Sequence, residues 1–452
     1  MNLTAFKDKL FEKAKAAGFE EYELYFQNSA STSINVFNQE VAEFKNSATQ
    51  GVSFRGKYGG KMGYASSERI DDNVVDFLVE SAKANAAIIE TEEHEELYPG
   101  DASYPEVKTY NDKINQVSAE AKIELALKSE AAAKAADEQI KAVPYCTLAN
   151  VESELFIANS KGLNVSGKSN GMYTFAQCQA SDGKMVKMGG DFYVGNDFGD
   201  FNPDEFGKKA AGKAVAKLGA SSAPGGKYAV IIDAGAASSL LSVFFGGFSA
   251  ENVQKGFSML AGKLGEKIAG NTVTIVDDPL IDNVLGSRAF DSEGVAAYKK
   301  VVVENGMLKT FLHNTKTARK DGVKPTGNGF KSDFRSAVNI GATNFFIQPG
   351  DADLDKLMEQ MGDGLLITDF AGLHSGANAT SGDFSLLSEG FMVEGGKKGR
   401  PVEQITASGN FFQLMKDIVA VGSDLKFRAP GPYGNIAAPS LRIEALDVAG
   451  AK

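Results

Sequence analysis

The spacing of apolar positions changes character several times along the 452-residue chain. Leu3, Phe6, Leu10, Phe11 and Ala14 recur at helical spacing, and Gly18 stops the helix they predict. Strand-like runs follow at 22–26 and 33–37, then at 51–55 and 61–65 across a turn holding Gly59 and Gly60. Together they predict an antiparallel meander. Asp71 or Asp72 caps a second helix whose apolar side carries Val74, Val75, Leu78 and Val79. Ser118 opens a long helix rich in Ala, Glu and Lys that is expected to end near Ile140, with Pro144 just beyond. Two hairpins are expected to turn at 159–162 and 181–184, and Pro203 starts a helix reaching about Leu218. No internal repeat is visible.

The small, breaker-rich stretch 220–226 is the best linker in the sequence. It divides the chain into an N-terminal α+β domain, residues 1–222, and a strand-rich C-terminal domain, residues 226–452. The expected fold class is therefore α+β, an antiparallel sheet with helices followed by a β-rich domain. The second domain opens with the apolar run 227–233, which leads into the corner 238–247. Residues 252–257 then lead into a polar, glycine-punctuated stretch expected to be helical. Asn305-Gly306 between apolar runs is a strong hairpin signal, and 391–397 predicts another.

The corner is notable for what it lacks. Between Ser238 and Gly247 there is no His, Cys, Asp or Glu. Ser242 sits on a strand-to-helix corner without the flanking glycines of a nucleophile elbow. Phe244, Phe245, Phe248 and Phe257 form an aromatic cluster beside Gly246-Gly247, which predicts core or the wall of an apolar peptide groove. The histidines, His94, His313 and His374, lie in separate elements with no ligand spacing, and no Walker-type phosphate loop occurs. His94 falls in the acidic run 91–96, expected to be a loop.

Net charge of −11 argues against direct nucleic-acid contact. Cys146 and Cys178 are expected as buried, reduced thiols. Neither a signal peptide nor a membrane-spanning apolar run is visible, so a cytoplasmic protein is expected.

Several runs, weak singly, are specific in their order and spacing. They are 51–55 with 63–67, 276–279, 291–295, 303–306 with 308–309, 325–329, 372–378 and 381–385. Through them nearly the whole chain resembles the TldD/PmbA family, also labelled modulators of DNA gyrase, and its PmbA (TldE) branch in particular. The resemblance implies a zinc-dependent TldD–PmbA peptidase acting on unfolded peptides. In that picture the TldD-type subunit carries a His-Glu-x-x-x-His motif after a Leu-Leu pair, and a further Cys ligand near its C-terminus. Here the pair is Leu240-Leu241, so the motif's first His, Glu and second His fall on Ser242, Val243 and Gly247. The segment 431–435 also has no Cys.

A His-to-His offset of five residues turns about 140° on a regular helix, so the helix must break between them, and Gly246-Gly247 keeps that break. The resemblance thus implies a non-catalytic accessory subunit with no metal of its own, zinc being carried by a TldD-like partner in a heterodimer. A homodimer of this chain alone stays open. Phe244, Phe245, Gly246, His374, Asn378 and Ser381 are the candidate peptide-groove residues. The alternatives are a regulatory protein that modulates gyrase through protein contacts, or a self-sufficient hydrolase using His313, His374, Asp291 or Glu293.

Overall fold

A computed structural model describes residues 2–90 and 95–451. Thr91 to His94, in the acidic run expected as a loop, lie outside the described residues. The fold is α+β, with an antiparallel sheet in the N-terminal half and a strand-rich C-terminal half.

Helix α1 (Leu3–Ala16) is capped by Asn2, whose side chain accepts from the Thr4 amide at 2.9 Å. Strands β1 (Glu21–Phe37), β2 (Glu40–Tyr58) and β3 (Lys61–Ser67) form the expected meander, and α2 (Asp72–Ile88) follows with Asp71 as its cap. A one-turn helix α3 (Lys113–Gln116) precedes α4 (Ala119–Ala135). Strands β4 (Ile140–Asn159), β5 (Asn164–Ser181) and β6 (Val186–Gly195) come next, then α5 (Pro203–Val215).

These strands join in the order β3-β2-β1-β4-β5-β6, with β1 antiparallel to β4 at the centre. Each half is therefore helix, three-strand meander, helix, so the sequence hides a repeat that the topology displays. The sequence expectation is corrected here. The repeat lies in element order, and each half fills its core with different side chains. In the first, Phe6, Leu10, Val75 and Leu78 pack on Leu24 and Phe54. In the second, Ala126, Phe206 and Ala210 pack on Leu148, Ala176 and the two buried, unbridged cysteines.

The helix opened by Ser118 ends at Ala135 and not near Ile140, which instead begins β4. Pro144 lies inside that strand where its register with β5 slips, a place that tolerates the missing N–H.

The C-terminal half is built on a ring of strands. Lys397–Asn410, Asp383–Glu394, Gly364–Ala371, Gly226–Ile232 and Leu441–Ala449 pair in that order. The ring closes where Thr406, Ala407 and Ser408 pair with Ala449, Val448 and Asp447. Strand β7 (Gly226–Ile232) sits inside it, parallel to Gly364–Ala371. A second sheet carries Ile275–Asp277 between Lys300–Glu304 and Asn344–Ile347. The helical stretch expected beyond 252–257 is limited to Ala250–Gln254. The segment after it folds as turns, because Gly256, Gly262 and Gly265 adopt positive φ, which a helix does not accommodate. No described helix is long and apolar enough to cross a membrane.

Candidate functional site

The corner after β7 is made by Asp233, whose side chain caps helix α6 (Ala234–Phe244) by accepting from the Ala236 amide at 2.8 Å. Burial pushes the Asp233 carboxyl up to about 6. Helix α6 stops at Phe244 and tightens into a 3-10 turn, Phe245–Phe248. Aromatic packing holds this turn. Phe244 stacks on Phe411 with centroids 4.4 Å apart, while Phe245 meets Phe345 edge-on at 5.2 Å. The turn's carbonyls are satisfied locally: Asn252 Nδ2 donates to Gly246 at 2.9 Å and Ser258 Oγ to Gly247 at 2.6 Å.

Ser242 and Val243 are half-buried on the last turn of α6, and Gly247 is buried in the 3-10 turn. A Cβ on Gly247 would stand 3.4 Å from the Phe412 ring. From Ser242 to Phe248 no side chain can take up a proton near neutral pH. Among the described residues no group of three or more His, Cys, Asp or Glu could hold a metal ion. A zinc ion needs nitrogen, thiolate or carboxylate donors, and one serine hydroxyl does not fit that requirement.

The groove candidates separate into two groups. Phe245 and Gly246 border a cavity of about 1120 Å³ between the N-terminal sheet and the C-terminal strands, slightly larger than the roughly 300–1,000 Å³ of ordinary ligand pockets. Phe244 is fully buried in the core. His374 lies on the one-turn helix Leu373–Gly376, and Asn378 and Ser381 lie on the loop between it and Asp383–Glu394, all outside the cavity lining. There Asn378 accepts from the Thr380 and Ser381 amides at 3.0 and 3.1 Å, and Ser381 Oγ donates to Asp383 at 2.8 Å, as turn locks do. The Phe412 ring stands between this loop and the corner, since a Cβ on Gly382 would also meet it. His313 is buried, with its Nδ1 lacking a partner, and burial lowers its pKa.

Behind the cavity lies a buried polar network that was flagged in sequence only as runs 276–279, 291–295 and 325–329. Asp277, fully buried, accepts from Lys300 Nζ at 3.1 Å, Asn328 Nδ2 at 2.7 Å and the Thr343 amide at 2.9 Å. Asp291 accepts from the amides of Gly329, Glu293 and Val295 at 2.8–3.0 Å. Glu293 takes the Thr315 amide at 2.8 Å and its hydroxyl at 2.5 Å. Burial pushes Asp291 up to about 7, with the Glu293 charge adding to the effect, and burial raises Glu293 as well. The sheet contributes the buried pair Arg55–Glu23 at 2.7 Å. Arg288, Lys331 and Tyr25, which face the cavity beside this network, carried no sequence signal; their positions are scattered, and only the fold gathers them.

Three domain models of one family match successive parts of the chain. PmbA/TldA metallopeptidase domain 1 matches residues 22–86, the central domain matches 112–218, and the C-terminal domain matches 225–450. A metalloprotease of Methanothermobacter thermautotrophicus is 32% identical over 289 residues, 61% of this chain and 62% of that one. The metalloprotease PmbA homolog of Haemophilus influenzae is 28% identical across 95% of this chain and 93% of its own. A Thermotoga maritima crystal structure, described as a candidate modulator of a DNA gyrase, is 36% identical. It superposes with a TM-score of 0.91, covering 99% of this chain and 100% of its own.

Proposed function

The chain belongs to the PmbA/TldA metallopeptidase family, and from that premise we propose that it is the PmbA/TldE-type, non-catalytic subunit of a two-subunit peptidase. In this reading a TldD-like partner supplies zinc and the catalytic groups. This chain completes the chamber in which unfolded peptides are cut. One observation carries the proposal: Ser242, Val243 and Gly247 stand where the family's catalytic motif has His, Glu and His. A valine at the second position leaves no carboxylate to act as general base for an activated water. The other two positions leave no imidazole to hold a metal. Helix α6 does break after Phe244, as the spacing of that motif requires, which supports the reading.

The test is to mix the purified chain with the TldD-like protein of its organism in the presence of zinc, and to assay cleavage of an unfolded peptide. Cleavage by the mixture alone is the expected result. Zinc-dependent cleavage by this chain by itself would overturn the proposal. If neither cleaves and no complex forms, the regulatory reading replaces it.

A further inference from the structure

Two cations border the 1120 Å³ cavity without a counter-ion. Arg288 donates from Nε to the Gly286 carbonyl at 3.2 Å, and its guanidinium lies 4.1 Å over the Phe330 ring. Its terminal amino groups make no hydrogen bond to a described residue. Lys331 crosses to the N-terminal sheet, where Nζ donates to Ser53 Oγ at 3.1 Å and stands 4.3 Å over the Tyr25 ring. Neither cation forms an ion pair with a described carboxylate.

Two buried cations elsewhere are ion-paired, while a third, Lys122, lies against the Phe198 ring. Arg55 holds Glu23 at 2.7 Å and Lys300 holds Asp277 at 3.1 Å. Of the acids near them in sequence, Asp291 and Glu293 are committed to backbone amides and Thr315, and Asp333 accepts from the Arg335 amide and the Ser336 hydroxyl. Of the acids lining the cavity, Glu251 is paired with Lys255 at 2.7 Å, and Glu106 lines it as well. Burial lowers Arg288 to about 10 and Lys331 to about 8; the Arg55 charge adds to the effect on Lys331, and the acids nearby, Asp291 and Asp277 for Arg288 and Glu23, Glu293 and Asp333 for Lys331, offset it only in part. A buried charge left unpaired is costly, and a planar guanidinium with a free fork matches a carboxylate's two oxygens.

We propose that this cavity receives a carboxylate, held by the terminal amino groups of Arg288 and by the ammonium of Lys331. The apolar body of the ligand lies against lining residues such as Leu155, Phe245 and Phe290. That the carboxylate belongs to a peptide rests on the subunit reading above; the anion preference does not.

The test uses this chain alone, by fluorescence polarisation, with a short N-terminally labelled peptide of Ala, Gly and Val. The peptide is made with a free C-terminal carboxylate, as its C-terminal amide, and as an amide containing one Glu or one Gln. The free acid should bind about tenfold or more tightly than the plain amide, the scale of a charge-assisted pair. If the Glu amide instead binds tightly and the Gln amide does not, the proposal also stands, with a side chain as the source of the carboxylate. Arg288→Gln should abolish the preference, and Arg288→Lys should restore part of it. Thermal melts near wild type would show that both variants fold. Equal affinity for every peptide, no binding of any, or a preference that survives Arg288→Gln in a folded variant would each overturn the proposal. Because no partner is present, a mixture that cleaves nothing would defeat the subunit reading without touching this result, and the converse also holds.

Discussion

The corner at 242–248 and the polar network behind the cavity lie in the same half of the molecule and are built on opposite principles. The corner is a dry aromatic turn with no group that exchanges a proton. The network is made of buried acids and cations whose hydrogen bonds are nearly all specified. Resemblance to a peptidase directs attention to the corner, yet the charge is concentrated in the network. The shape of the corner comes from packing, whereas chemistry depends on a handful of side chains, so the two can vary independently.

The sharpest way to break this contrast is to disturb the network. Asp277→Ala would strand the Lys300 ammonium, and a loss of roughly 3–5 kcal/mol in urea unfolding is expected. A loss below about 1 kcal/mol would mean that water replaces the carboxylate and the network is less dry than its burial implies. At the corner, Phe244→Ala removes the ring stacked on Phe411 and leaves a core cavity, with an expected cost of about 3 kcal/mol.

A smaller, pH-dependent effect separates the two regions more cleanly. Burial raises Asp291 from 3.8 to about 7, so the folded chain holds a proton that the unfolded chain releases. This contribution favours folding at the acid end of that window, and it is lost as pH rises from about 4 to about 7. Asp291→Asn, neutral throughout, should flatten that part of the stability profile. A slope identical to wild type would place the proton elsewhere. The smallest effect is expected at Gly247→Ala. Its new Cβ meets Phe412 at an ordinary 3.4 Å, so stability should change by no more than about 1 kcal/mol. A much larger loss would show that packing, and not only lost chemistry, forbids a side chain at that position.

Local rules read the fold well wherever the signal is local. Asp71 and Ser118 cap their helices as expected, and Asn305-Gly306 turns the hairpin between Lys300–Glu304 and Met307–Leu308. The end of α4 is not legible because the helix-forming composition gives no stop at Ala135, and Pro144, the nearest breaker, lies inside β4. The duplicated order of helix, meander and helix escaped because it survives in topology without residue identity. Of the groove candidates, Phe245 and Gly246 border the cavity because the helix break presents them there, whereas His374 belongs to the one-turn helix Leu373–Gly376, outside the cavity lining. Arg288 and Lys331 were illegible because nothing within a few residues of either shows that its charge goes unanswered. That fact depends on β1 and β2, which are more than 200 positions away.

The closed ring also has a consequence for biogenesis. Gly226–Ile232 finds its hydrogen-bonding neighbours only in Gly364–Ala371 and Leu441–Ala449, both of which leave the ribosome much later. At about 5–20 residues per second, the wait for the first of them is on the order of 10 s. Over that interval an apolar strand stands without its sheet partners, so the C-terminal half can close only after nearly the whole chain has been made.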